Sequence, residues 1–358
     1  MDLTGHNGGR PPRRISSRTR LGVPALAATS LLTSRGAAVL AAQSPTPVTV
    51  ALDWYPNANH AGLFLAVERD LFTEAGLDVE IYTPADPTTV LQTVGAGRDT
   101  FGISYQTDVL LARAQGVPVV SVAALVQHPL LSVMSLEERG ISRPADLVGE
   151  VVGYPGIPSQ EAFLATMLEA DGATLNDIEL VNVGFDLLPA VISGRVAAVM
   201  GAYWTHETIL AEQEGYPVSI MRVEEWDVPD YYELVLVASE ETIANQAAMI
   251  DTFTETMRQG YQAAIADPEA ALDALVDASP DLERDVEARG LDLLIPVWTD
   301  GVTAFGVQEA ERWNAYAMWM KDRDLIPDGL DVDAAWTADF LPAASATPVA
   351  SPAATPID

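Results

Sequence analysis

The chain of 358 residues contains no cysteine. That excludes disulfides, cysteine-ligated metals, thiol catalysis and anchoring through a lipid-modified cysteine. Lysine is almost missing too, with Lys321 the only one. No apolar run reaches the ~18 uncharged residues that a transmembrane helix needs. The four histidines, His6, His60, His128 and His206, share no spacing of the kind that places two ligands on one helix face, so a metal site is not expected. The serine elbow, the P-loop and the Rossmann glycine fingerprint are all lacking. Elbow hydrolases, P-loop enzymes and dinucleotide binding therefore have no support.

Positive charge is scarce and unevenly placed. Residues 1–35 hold six arginines and a single acid, Asp2, whereas the remainder carries 13 basic and 50 acidic residues, a net charge of −37. Such a body repels nucleic acid and anionic membrane. The basic head and the apolar patches behind it (23–32 and 37–42) have the layout of an export signal, with Ala41-Ala42-Gln43 as a small-residue cleavage site. Arg35 and Gly36 interrupt the apolar region. Residues 342–358, PAASATPVASPAATPID, have the composition of a disordered tail.

What remains, residues 48–341, alternates between two periodicities. Strands are expected at 48–52, 78–82, 100–104, 117–126, 131–135, 151–154, 178–183, 197–202 and 218–223. Helices are expected at 61–75, 87–94, 107–115, 159–171, 187–193 and 206–214. A glycine follows each of these helices (Gly76, Gly95, Gly116, Gly172, Gly194, Gly215), as at many helix ends. The alternation predicts an α/β protein with parallel sheets covered by helices. The long extended runs 117–135 and 231–239 read as two crossings between lobes, and the chain beyond 240 reads as helical. The expectation is a first lobe of 48–134 plus 234–341, a second lobe of 135–233 and a cleft between them.

The chemistry sits in four polar, aromatic loops, each after an apolar strand: Asp53–His60, Ser104–Asp108, Gly153–Ser159 and Gly201–Glu207. In open α/β sheets ligands bind at the carboxyl ends of strands, so all four loops can converge on the cleft. Aromatic faces, amides and carboxylates suit a flat heterocycle that hydrogen-bonds at its edges. Each residue also has a plainer role. Trp54 and Tyr55 serve equally as core packing. His60 can cap the following helix. Asp108 and Glu207 suit helix first turns, and Ser159 suits an N-cap. The acidic, aromatic segment 222–233, with Glu224, Tyr231 and Glu233, reads either as a solvated loop or as carboxylates facing ring nitrogens and amino groups.

The stretches ALDWYPNANHAGLFLA (51–66), FGISYQTDVLLARAQGVPVVSVAALVQHPL (101–130), GYPGIPSQEAFL (153–164), GAYWTHE (201–207) and EGYPVSIMRVEEWDVPDYYELVLVAS (214–239) carry a resemblance. The chain resembles the family that joins fungal thiamine-pyrimidine synthases to bacterial pyrimidine-binding proteins. The resemblance implies a two-lobe periplasmic binding protein fold of type II. It implies a substrate-binding protein that delivers a formylamino-aminomethyl-pyrimidine to an ABC importer permease for thiamine salvage, acting as an exported monomer with no cofactor and no catalysis. Carried over by position, the ligand set is Asp53, Trp54, Asn59, His60, Tyr105, Asp108, Ser159, Trp204, Glu207, Glu224, Tyr231 and Glu233. The fungal synthases build the pyrimidine from pyridoxal phosphate and an internal histidine, with iron and a cysteine-rich motif. This chain has no cysteine, and its one lysine lies in the late helical region. Another flat ligand, such as a flavin, stays open. An aromatic sulfonate is disfavoured because the four loops hold acids but no Arg or Lys.

Overall fold

The computed structural model describes residues 44–302 and 304–341. The expected export signal at 1–42 and the tail at 342–358 lie outside the described residues. Among the described residues, ten strands form two five-stranded sheets. The first contains β1 (Thr46–Ala51), β2 (Leu77–Tyr82), β3 (Phe101–Ser104), β4 (Val119–Val126) and β10 (Leu234–Ser239). Its order is β2-β1-β3-β10-β4. The second contains β5 (Leu131–Leu136), β6 (Val151–Tyr154), β7 (Glu179–Asn182), β8 (Ala198–Tyr203) and β9 (Val218–Arg222). Its order is β7-β6-β8-β5-β9. The two orders are the same pattern: three parallel strands, then one antiparallel strand that has just crossed from the other sheet, then an edge strand.

The crossings are residues 127–130 and 223–233. Residues 131–134, expected to end the first lobe, instead pair with β8 and β9 in the second sheet. Sequence separated β4 from β5 but not the lobes they belong to, because both are wholly buried. The short break at Gln127-His-Pro-Leu130 is the actual crossing.

Helices α1 (Ala61–Glu68), α2 (Leu71–Glu74), α3 (Val90–Gly95), α4 (Gln106–Ala114), α5 (Pro158–Ala170), α6 (Leu187–Ile192) and α7 (Glu207–Gln213) follow the parallel strands. Residues 61–75 were expected as one helix. They break at Asp70, which takes the left-handed conformation at φ 56°, a position that aspartate tolerates better than most residues. Beyond β10 come α8 (Glu240–Ala266), α9 (Pro268–Ala278), α10 (Arg284–Trp298) and α11 (Ala310–Asp322). Phe253 of α8 stacks on Phe72 and Phe101, anchoring that helix to the first sheet. Where α8 crosses α1, a side chain at Gly260 would meet the Gly62 carbonyl oxygen. Both helices use glycine to approach that closely, and the approach brings Tyr261 to the binding loop.

Candidate ligand-binding site

Asp53, Trp54, Tyr105, Ile157, Gln160, Gly201, Tyr203 and Glu207 line a small, partly open cavity. They come from the carboxyl ends of β1, β3, β6 and β8, the four parallel-strand ends that face each other across the lobes. This placement follows from topology, since parallel strands leave their loops at one edge of each sheet.

Asp53 is buried and holds two hydrogen bonds. His60 Nε2 donates to Oδ1 at 3.0 Å, and the Tyr105 hydroxyl donates to Oδ2 at 3.1 Å. The backbone N–H of Asn57 donates to His60 Nδ1 at 3.2 Å. Nδ1 is therefore unprotonated and Nε2 carries the hydrogen, which fixes the tautomer. His60 is fully buried, so it orients Asp53 from behind. Asn59 is buried as well, its amide tied to Asn57 Oδ1 at 2.9 Å and its carbonyl accepting from the Tyr261 hydroxyl at 2.8 Å. The segment Ala58–His60 is thus a rigid 3-10 turn closed by a reciprocal capping box between Asn57 and His60.

Trp54 lines the cavity, and its ring packs on Phe185 of the second lobe with centroids 4.4 Å apart. Tyr105 lines the wall beside it. Burial, then the charges of Asp53, Glu233 and Asp108, push its hydroxyl well above the usual range. It stays protonated and donates. Tyr203 is raised in the same direction, by burial and then Glu233, and its hydroxyl donates to Glu233 Oε1 at 3.1 Å.

Glu207 begins α7 and lines the cavity from the second lobe. Its Oε2 accepts from the Tyr203 N–H at 2.8 Å, and its Oε1 faces His206 Nδ1 at 3.1 Å. His206 Nε2 meets Glu287 Oε1 of α10 at 3.1 Å, while Glu287 Oε2 accepts from the Ala58 N–H at 2.7 Å. Burial opposes charge on His206, but Glu207 and Glu287 outweigh it and raise the ring to about 10. An imidazolium therefore bridges the cavity-lining carboxylate of the second lobe to the 53–60 loop of the first through Glu287.

Asp108 and Ser159 meet across the lobes without reaching this cavity. The Ser159 hydroxyl donates to Oδ2 at 2.7 Å and its N–H to Oδ1 at 3.3 Å. Burial lifts Asp108 to about 6 against the pull of these two donors.

The remaining expected residues gather at the crossings. Glu233 is fully buried and accepts from the Leu130 N–H at 2.7 Å and the Tyr231 hydroxyl at 2.8 Å. It joins the two crossing segments, and burial raises it to about 7 despite those donors. Tyr231 stacks on Phe163. Trp204 carries the Arg222 guanidinium 4.1 Å above its ring and donates to the Pro129 carbonyl at 3.3 Å. Glu224 sits exposed on a 3-10 turn of the second crossing. None of these four lines the cavity.

Sequence reading passed over Gln160, Tyr203, His206, Phe185 and Glu287. Tyr203 and His206 lie within the loop already marked, in GAYWTHE. The other three carry no local signal: Phe185 and Glu287 meet partners in the other lobe, and Gln160 reads as a solvated helix position.

The NMT1/THI5 like family matches residues 57–271. The chain belongs to that family. It is 40% identical over 283 residues to the formylaminopyrimidine-binding protein of Halalkalibacterium halodurans, covering 78% of this chain and 86% of that one. It is 26% identical over 253 residues to a 4-amino-5-hydroxymethyl-2-methylpyrimidine phosphate synthase of Saccharomyces cerevisiae, covering 68% and 74%. Among solved structures it superimposes on the alkanesulfonate-binding protein SsuA of Xanthomonas axonopodis pv. citri with a TM-score of 0.67 at 16% identity, covering 82% and 99%. The two sheets with their central cleft are the two-lobe, type II periplasmic binding protein fold.

Proposed function

We propose that this family member is the solute-binding protein of an ABC importer and that it closes on a formylamino-aminomethyl-pyrimidine, a precursor for thiamine salvage. The observation that carries this reading is the cavity itself. Two carboxylates, Asp53 and Glu207, face it with two phenols and an indole, and no arginine or lysine is among its lining residues. A ligand rich in N–H donors is complementary, whereas a sulfonate or other anion meets like charge.

A synthase on this scaffold has less support. The chain has no cysteine, the Lys321 ammonium donates to the Leu330 carbonyl and is not among the cavity's lining residues, and both nitrogens of His60 are engaged within the fold. The basic, apolar head serves export in this reading, so the protein works outside the cytoplasmic membrane, as a monomer, and hands its ligand to the permease.

Isothermal titration with the formylamino pyrimidine tests the proposal. Saturable one-to-one binding is expected. Folded protein that gives no binding heat at high micromolar ligand overturns it.

A further inference from the structure

We infer that Gln160 is an additional ligand-contacting residue, whose side-chain oxygen accepts an N–H from a ring amino group and so selects amino- over oxo-pyrimidines. The inference rests on the pyrimidine reading of the cavity and adds a specificity residue to it.

Gln160 is 3% exposed and lines the cavity. Its Oε1 has no hydrogen-bond partner among the described residues. Buried acceptors are nearly always paired, and an acceptor facing a binding cavity finds its partner in what binds. The backbone opposite is shaped around this side chain. β5 and β8 shift register between Ser132 and Val133, which pair with Ala202 and Met200 and leave Gly201 bulged out of the ladder. Gly201 has φ +111°, and a Cβ there would lie 2.4 Å from Gln160 Oε1 and 3.1 Å from Pro155 Cδ. Bulges beside binding sites re-aim a wall. This one, with a residue that lacks a side chain, keeps the space that Gln160 occupies at the cavity.

The other polar groups decide what Gln160 must meet. Asp53 and Glu207 are acceptors. The phenol hydrogens of Tyr105 and Tyr203 are already given to Asp53 and Glu233. The polar functions presented to a ligand are therefore three acceptors from three different strand ends. A pyrimidine with amino substituents supplies donors to them. A ring carbonyl in place of the amino group would set oxygen against oxygen, and a site built for a donor strongly rejects the analogue without one. Since the oxygen and nitrogen of an amide are distinguished only by their partners, the test includes an acceptor-only variant.

Binding of the amino-pyrimidine and its oxo counterpart is measured by calorimetry on wild type, Gln160→Met and Gln160→Glu, with melting temperature as the check on folding. Wild type is expected to prefer the amino compound by at least about tenfold. Gln160→Met should lose most of that preference, and Gln160→Glu, which keeps an acceptor, should retain it. An unchanged preference in Gln160→Met, or a lost one in Gln160→Glu, overturns the role of Gln160 alone. Failure of wild type to bind either compound overturns the function and this inference together.

Discussion

Asp53 shows how much of the site depends on a single side chain. It is held by His60 and Tyr105, and it faces the cavity as an acceptor. Replacement by asparagine keeps the size and leaves an oxygen for the His60 N–H. The amide nitrogen then turns toward the Tyr105 hydroxyl, and the negative charge is lost. A hydrogen bond to a charged group contributes about 1.5–3 kcal/mol, so Asp53→Asn should weaken pyrimidine binding by at least about tenfold while the protein stays folded. An affinity within twofold of wild type would remove Asp53 from recognition. At this scale the sequence was informative where the signal was local. Asp53, Trp54, Tyr105 and Glu207 each follow an apolar strand, and each lines the cavity. Glu233 and Tyr231 looked alike in sequence, but their loop crosses between lobes, so their polar atoms are spent on Leu130 and on each other. Gln160 was invisible, because a glutamine in the first turn of a helix reads as a solvated position until its burial is known.

Among elements, the first turn of α5 meets Asp108 of α4, and this contact carries a pH dependence. The carboxyl stands at about 6 because it is buried where the lobes meet. In separated lobes it would be solvated, near the ordinary ~3.9. A group whose value is raised in the closed state favours closure when protonated. The contribution is complete below about pH 4 and is lost as pH rises through about 6. A shift of this size corresponds to at most about 3 kcal/mol in favour of closure. Asp108→Asn imitates the protonated acid. It should bind at pH 7.5 at least as tightly as wild type and show a flatter profile between pH 4 and 7. Weaker binding at pH 7.5 would mean that the ionised carboxylate holds the lobes together. The elements themselves were legible: period-two apolar runs for strands, glycine after helices, and a helical end beyond β10. Their pairing across the cleft was not, because Asp108 and Ser159 are 51 residues apart, and no local pattern encodes which helix ends face each other after two crossings.

For the whole molecule, closure joins charges that lie far apart in the chain. Glu287 stands on α10, which packs on the first lobe at Ala58 through its Oε2, while His206 and Glu207 belong to the second. Opening takes Glu287 away from His206. The ring stands at about 10 with both carboxylates beside it, burial notwithstanding. Opening removes Glu287 while Glu207 stays beside the ring, so the Glu287 contact favours the charged ring only in the closed state. That contribution to closure is present below about pH 10 and is lost as pH rises through it, and ligand binding takes up part of a proton in alkaline solution. Asp108 and Glu233, at about 6 and about 7, are ionised in both states by pH 8.5, so a proton taken up there belongs to His206. Calorimetric titrations at pH 8.5 in buffers of different ionisation enthalpy should give a fractional proton uptake per ligand. Glu287→Gln removes the charge that moves with the lobe and leaves an acceptor for the Ala58 N–H, so uptake should fall and affinity with it. Equal uptake in the two proteins would place the proton elsewhere and leave the Glu207–His206–Glu287 bridge as packing that does not sense closure.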